Sequence, residues 1–113
     1  MNPSSGRSLF RIVASDPPTL QDFLSDEEAG DPEPDQSDPL RHRLWQGRSA
    51  YNTEAQARRK ARGFPLLGAY IAEVRLPDDP AISYERTTKS MGHFTIWGDA
   101  RHLMRCVVRI VPV

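Results

Sequence analysis

The 113 residues contain one cysteine, Cys106, so no disulfide closes within the chain and no cysteine pair is available to a structural zinc. Its place in the apolar run CVVRIVPV marks it as a small buried hydrophobe, and a lone thiol fits a reducing compartment. The three histidines, His42, His93 and His102, are scattered, which argues against a metal centre built on clustered imidazoles. No closely spaced glycines join a strand to a helix, so a phosphate loop is excluded. No segment approaches the roughly 20 apolar residues of a membrane helix, and MNPSSGRSLF has no secretory core. The expectation is a cytoplasmic protein without membrane contact. Acidic and basic residues number 15 each, so no global field draws the chain to nucleic acid.

Charge is present, but it is segregated. Positions 25–40 hold seven carboxylates (Asp26, Glu27, Glu28, Asp31, Glu33, Asp35 and Asp38) and no basic residue. The following stretch, Arg41 to Arg62, is strongly basic. The acidic run lacks the ordered oxygen spacing and glycine turn of a calcium loop, has no apolar anchor, and is interrupted by prolines. It is predicted to be a mobile loop, 25–40, within one domain covering 1–113.

Alternation locates the strands. In LFRIVA (9–14), Phe10 and Ile12 face one way and Leu9, Arg11 and Val13 the other, which gives the first strand. RLWQGRSAY (43–51) reads as a short strand opening into a turn. LGAYIAEVRLP (67–77) sets Tyr70, Ala72, Val74 and Leu76 against Ile71, Glu73 and Arg75. AISYERTTKS (81–90) is an edge or shortened strand. HFTIW buries Phe94 and Ile96 and turns His93, Thr95 and Trp97 to the other face. The terminal CVVRIVPV is apolar enough for a central strand.

Helices are marked by caps. Thr53 with Gln56 three residues later forms a capping box, Ala57 and Ala61 share a face, and Gly63 closes the helix. Thr19 and Asp22 open a shorter helix near 19–25, and Asp99 caps another near 99–105. The inventory is an α+β domain with a twisted, mainly antiparallel sheet of five or six strands and two or three short helices.

Few residues stand out chemically. Arg11, Glu73, Thr95 and Arg109 interrupt apolar runs, and if their strands are neighbours they would converge on one surface. His93 sits at a strand mouth, where an imidazole can serve as acid, base or donor. Ser49 and Tyr51 share one side of an extended segment just before a helix N-terminus, whose partial positive charge suits a pyrophosphate. The basic face Arg58, Arg59, Lys60 and Arg62 concentrates anions, but the neighbouring acidic stretch can neutralise it. A nucleotide or a protein partner is expected rather than nucleic acid.

Taken in order, LFRIV with its central Arg11, GRSAYNTEAQA running into a helix, and GHFTIWGDARHL before a last strand resemble the layout of small bacterial ADP-ribosyltransferase-like domains, including toxin-type members. The resemblance covers most of the chain from Leu9 onward and omits the acidic insertion. It implies NAD as the cofactor, with Arg11, Ser49 and Tyr51 binding it and Arg11, Tyr51, Glu85 and His93 as the catalytic set. Ser49-Ala50-Tyr51 stands where the family has Ser-Thr-Ser. No Glu-x-Glu or Gln-x-Glu pair is present, so Glu85 or His93 would fill the place of the carboxylate that stabilises an oxocarbenium-like transition state. Without such a carboxylate the domain would bind rather than turn over. The alternative from another class is a non-catalytic protein–protein interaction or immunity-type accessory module.

Overall fold

The computed structural model describes residues 6–87 and 92–113. Its elements are β1 (Arg7–Val13), α1 (Pro39–Trp45), β2 (Arg48–Tyr51), α2 (Glu54–Gly63), β3 (Tyr70–Leu76), β4 (Ser83–Arg86), β5 (His93–Trp97), α3 (Ala100–Arg105) and β6 (Val107–Pro112), with single 3-10 turns at Leu20–Phe23 and Pro65–Leu67. All pairings are antiparallel, in the order β4-β5-β2-β1-β3-β6. The α+β class with one twisted antiparallel sheet is therefore as the sequence pattern predicts. Among the described residues no helix is long and apolar enough to cross a membrane.

The alternation read in the sequence sorts the two faces. Leu9, Val13, Ala50, Ala72, Val74, Leu76, Phe94 and Ile96 share one face, which packs against Phe23, Ala100 and Leu103. Fully burying side chains of this size contributes about 1.5–3 kcal/mol each. On the other face Tyr51 and Ile71, with Phe10 and Ile12, lie under Ala57 of α2. That helix begins as expected: Gln56 N donates to Thr53 Oγ1 at 3.1 Å and Thr53 N donates to the Gln56 side chain at 3.1 Å.

Two expectations, on the start of β2 and on the place of β6, need correction. Residues from 39 onward are not loop followed by strand: Asp38 accepts from Arg41 N at 3.1 Å and Pro39 occupies the first turn, so α1 forms and β2 starts only at Arg48. Proline is tolerated there because the first helical N–H has no partner in any case. The acidic stretch contacts α1 through Glu27 N to Trp45 O at 3.0 Å, Trp45 Nε1 to Asp31 O at 3.0 Å, and a Glu33–His42 ion pair at 3.0 Å. Among the described residues none of its ion pairs reaches the basic face of α2, where Arg58 pairs with Glu54 on its own helix. Finally, β6 is an edge strand and not a central one. Its apolar character serves both faces, and Val108, 58% exposed, is the extra residue where the register with β3 shifts.

The short strand expected within 81–90 is β4, at the opposite edge; positions 88–90 lie outside the described residues.

The sheet has its shortest ladder at the centre. β1 and β3 pair over seven positions, from Arg7↔Leu76 to Val13↔Tyr70, and β2 and β5 over four. Between β1 and β2 the single ladder pair is Phe10↔Tyr51. Beyond it, toward Val13 and Arg48, the two strands part.

Candidate functional site

A cleft of about 790 Å³ opens where β1 and β2 part. Its floor is sheet: Arg11 and Ile12 of β1, Arg48, Ser49 and Tyr51 of β2, and His93 and Thr95 of β5. One wall is α2 with the turn after it, through Gln56, Arg59, Lys60, Phe64 and Leu67; the other brings Leu24, Asp26 and Leu44. Its volume lies within the range of small-molecule sites.

Arg11 spans the parting. Its Nε donates to Asp22 O at 2.8 Å and its Nη1 to Ser49 O at 2.6 Å, a carbonyl that the missing ladder leaves without a β1 partner. The Asp22 carboxylate accepts from Ala14 N at 2.8 Å and Thr19 N at 2.9 Å, which holds the 3-10 turn against the guanidinium. Among the described residues no carboxylate forms an ion pair with Arg11. Burial, and then the charge of Arg48, lower its pKa to about 10 against the opposing pull of Asp22, Asp26 and Tyr51.

Arg48 is 4% exposed. Its Nη1 donates to Ile96 O at 3.2 Å and its Nη2 to Glu28 Oε1 at 2.9 Å, while its Nε is buried with no acceptor among the described residues. Burial lowers its pKa, against Glu28 and Asp99, which raise it. For Glu28 burial acts upward, but hydrogen bonds from Ser25 and Arg48 outweigh it and hold the carboxyl below its ordinary range. Arg48 is thus paired with one carboxylate, whereas half-buried Arg11 feels the charges of Asp22 and Asp26 but forms no ion pair among the described residues.

On the α2 side of the sheet a polar chain crosses the strands. The Ser49 hydroxyl lies 3.1 Å from His93 Nε2, His93 Nδ1 lies 3.2 Å from Thr87 Oγ1, and Thr87 Oγ1 lies 2.7 Å from Thr95 Oγ1. The Tyr51 and His93 rings meet edge to face at 5.5 Å between centroids. Burial, then Lys60, lowers the His93 pKa, so the imidazole is neutral at neutral pH. Burial raises that of Tyr51, with Arg11 opposing.

The structure therefore gathers Arg11, Ser49, Tyr51 and His93 around one cavity. Glu85 is elsewhere: it pairs with Arg43 at 3.1 Å, its side chain is 54% exposed, and it does not line the cleft. Trp97 donates from Nε1 to Arg43 O at 2.9 Å and so holds α1, with the Arg43 guanidinium 4.2 Å from its ring centroid. The expected convergence of Arg11, Glu73, Thr95 and Arg109 does not occur. Arg11 pairs across the ladder with Ala72 and shares its face, whereas Glu73 lies on the opposite face. There Glu73 accepts from Ser8 at 2.7 Å and from Arg109 at 3.3 Å, and Arg109 also pairs with Glu54.

Arg48, Asp26, Gln56 and Thr87 were not anticipated. Arg48 had a visible signal, since it is a charge two residues before Ala50 on the inward face of β2. Asp26 is the one carboxylate among the residues lining the cleft; burial, then Asp31, raises its pKa, with Arg11 opposing. Compared with protein-family models, curated proteins and solved structures, the chain finds no match.

Proposed function

We propose that the cleft binds NAD or a closely related nucleotide, as the resemblance to ADP-ribosyltransferase-like domains implies. The observation that carries this reading is Arg11, a half-buried guanidinium lining the cleft, held by two backbone carbonyls and forming no ion pair among the described residues. A phosphate reaching it forms charge-assisted hydrogen bonds, each contributing about 1.5–3 kcal/mol. Tyr51 and Phe64 line the same cavity, and Lys60 and Arg59 add positive charge to its lining. A cytoplasmic setting fits the single thiol, Cys106, packed beside the core.

Binding is favoured over ADP-ribosyl transfer. Cleaving a nicotinamide glycosidic bond builds positive charge at the sugar, and among the described residues lining the cleft Arg11, Arg59 and Lys60, with Arg48 paired to Glu28, outnumber the carboxylate of Asp26 and oppose it. Glu85, engaged by Arg43, is not placed to relieve that charge. The test is a thermal-shift screen with NAD, with ATP and with neither. The reading expects NAD to raise the melting temperature of the wild type and not of Arg11→Gln, with folding of the variant verified by circular dichroism. Equal melting curves with and without NAD at millimolar concentration reject it.

A second reading, a non-catalytic interaction module, has its own observation. Phe64, Leu66 and Leu67 are 57%, 103% and 48% exposed, beside Arg59 and Arg62, which have no ion-pair partner among the described residues. Exposed apolar groups rimmed by charge mark protein contacts. This reading expects no nucleotide shift and a salt-sensitive complex lost on Leu66→Ser.

A further inference from the structure

The contacts of Ser49 and His93 support a chemistry that goes beyond nucleotide binding and does not depend on it. A serine hydroxyl is a weak nucleophile unless a base stands within hydrogen-bond reach and a third group fixes that base. Here the Ser49 hydroxyl is 3.1 Å from His93 Nε2, and Thr87 Oγ1 is 3.2 Å from His93 Nδ1. Thr87 is held in turn by Thr95, 2.7 Å away. With the imidazole proton on Nδ1, the chain runs in one direction: Ser49 donates to Nε2, Nδ1 donates to Thr87, and Thr87 donates to Thr95. Ser49 is exposed to the cleft, so a ligand has access to it.

The sign of the local field selects the reaction class. Attack on a carbonyl develops negative charge on its oxygen, whereas glycosidic cleavage develops positive charge, and the guanidinium of Arg11, bonded to Ser49 O, favours the first. Arg59 and Lys60 add to that field, and Leu24, Leu44 and Phe64 provide apolar wall. We propose that Ser49 is the nucleophile of an acyl-transfer site for carboxylic esters of anionic acids, with His93 as its general base and Thr87 as the residue that positions the imidazole. In the first step Ser49 Oγ bonds to the ester carbonyl carbon while its proton passes to His93 Nε2. The carbon–oxygen bond to the alcohol then breaks, and the alcohol leaves with that proton. Water, deprotonated by His93, attacks the acyl-serine and releases the acid, returning Ser49 with its proton.

The test uses the full chain and two probes. A fluorophosphonate forms an Oγ–phosphorus bond with an activated serine and releases fluoride, and the site is read by intact mass and peptide mapping. Labelling is expected at Ser49 of the wild type, absent in Ser49→Ala, and slowed about 100-fold or more in His93→Gln. Thr87→Val slows it and moves its pH midpoint, and Thr87→Ser restores both, which a merely structural role would not do. Circular dichroism melting verifies that each variant is folded. Release of nitrophenol is then compared for the 4-nitrophenyl esters of succinate and acetate, with the anionic ester turned over faster. Folded wild type that resists the probe, labelling elsewhere, wild-type rates in His93→Gln, or preference for the neutral ester overturns the proposal. An NAD-induced thermal shift without Ser49 labelling defeats this inference alone, and labelling without a shift defeats the nucleotide reading alone.

Discussion

At the scale of single residues, Arg11 has two roles that a substitution separates only in part. Alanine at this position removes the donor from Asp22 O and Ser49 O, so a loss of about 1–3 kcal/mol in unfolding free energy is expected, measured by urea denaturation. A variant as stable as the wild type would show that these carbonyls find water instead. His93 gives a second prediction. Because burial lowers its pKa in the folded chain, the unfolded chain binds more protons as pH falls through the ordinary imidazole value of about 6.5. Its contribution to stability is complete above that value and is lost as pH falls through the folded pKa. The melting temperature of His93→Gln is therefore expected to decline less than that of the wild type over this interval. Arg11 was legible in the sequence because a charge inside LFRIV stands out against apolar neighbours on both sides. The signal of Arg48, a charge two residues before Ala50, is masked because RLWQGRSAY reads as a strand from Arg43 that opens into a turn.

Among the elements, α2 is specified locally and α1 is not. Thr53, Gln56, Ala57 and Ala61 encode both the cap and the buried face of α2, so Thr53→Ala is expected to cost about 1 kcal/mol, read as a lowered denaturation midpoint at unchanged slope. The start of β2 depends on a glycine for a different reason. A Cβ on Gly47 would lie 2.3 Å from Thr95 Cγ2 and 2.9 Å from Trp97 Nε1, so β2 approaches β5 closely there. Gly47→Ala is expected to destabilise by about 1–3 kcal/mol through overpacking, and unchanged stability would mean that β5 yields. The helix α1 escaped the sequence reading because Asp38 and Pro39 look like loop residues until their cap and first-turn positions are recognised. Its hold on the rest of the fold comes from Trp45, Arg43 and Trp97, contacts of long sequence separation that no local pattern encodes.

For the molecule as a whole, the decisive feature is a central parting in a sheet whose other ladders run over four or more positions. Periodicity showed which residues of β1, β2 and β5 share a face, but not that β2 lies between β1 and β5, nor that one ladder pair joins β1 to β2. Those facts assemble Arg11, Ser49, Tyr51 and His93 into one cavity, and the same topology sends Glu73 and Arg109 to a separate cluster. Strand order follows from how two faces are covered by α2 on one side and α3 on the other, a global packing problem. The most direct test is a titration of isotopically labelled protein with NAD, following backbone amide resonances. Saturable shifts concentrated in 11–13, 48–51, 54–60 and 93–95, and lost in a folded Arg11→Gln variant, are the expected result. Resonances that stay unmoved through millimolar NAD, or that move only around β6, would contradict a nucleotide cleft at the centre of the sheet.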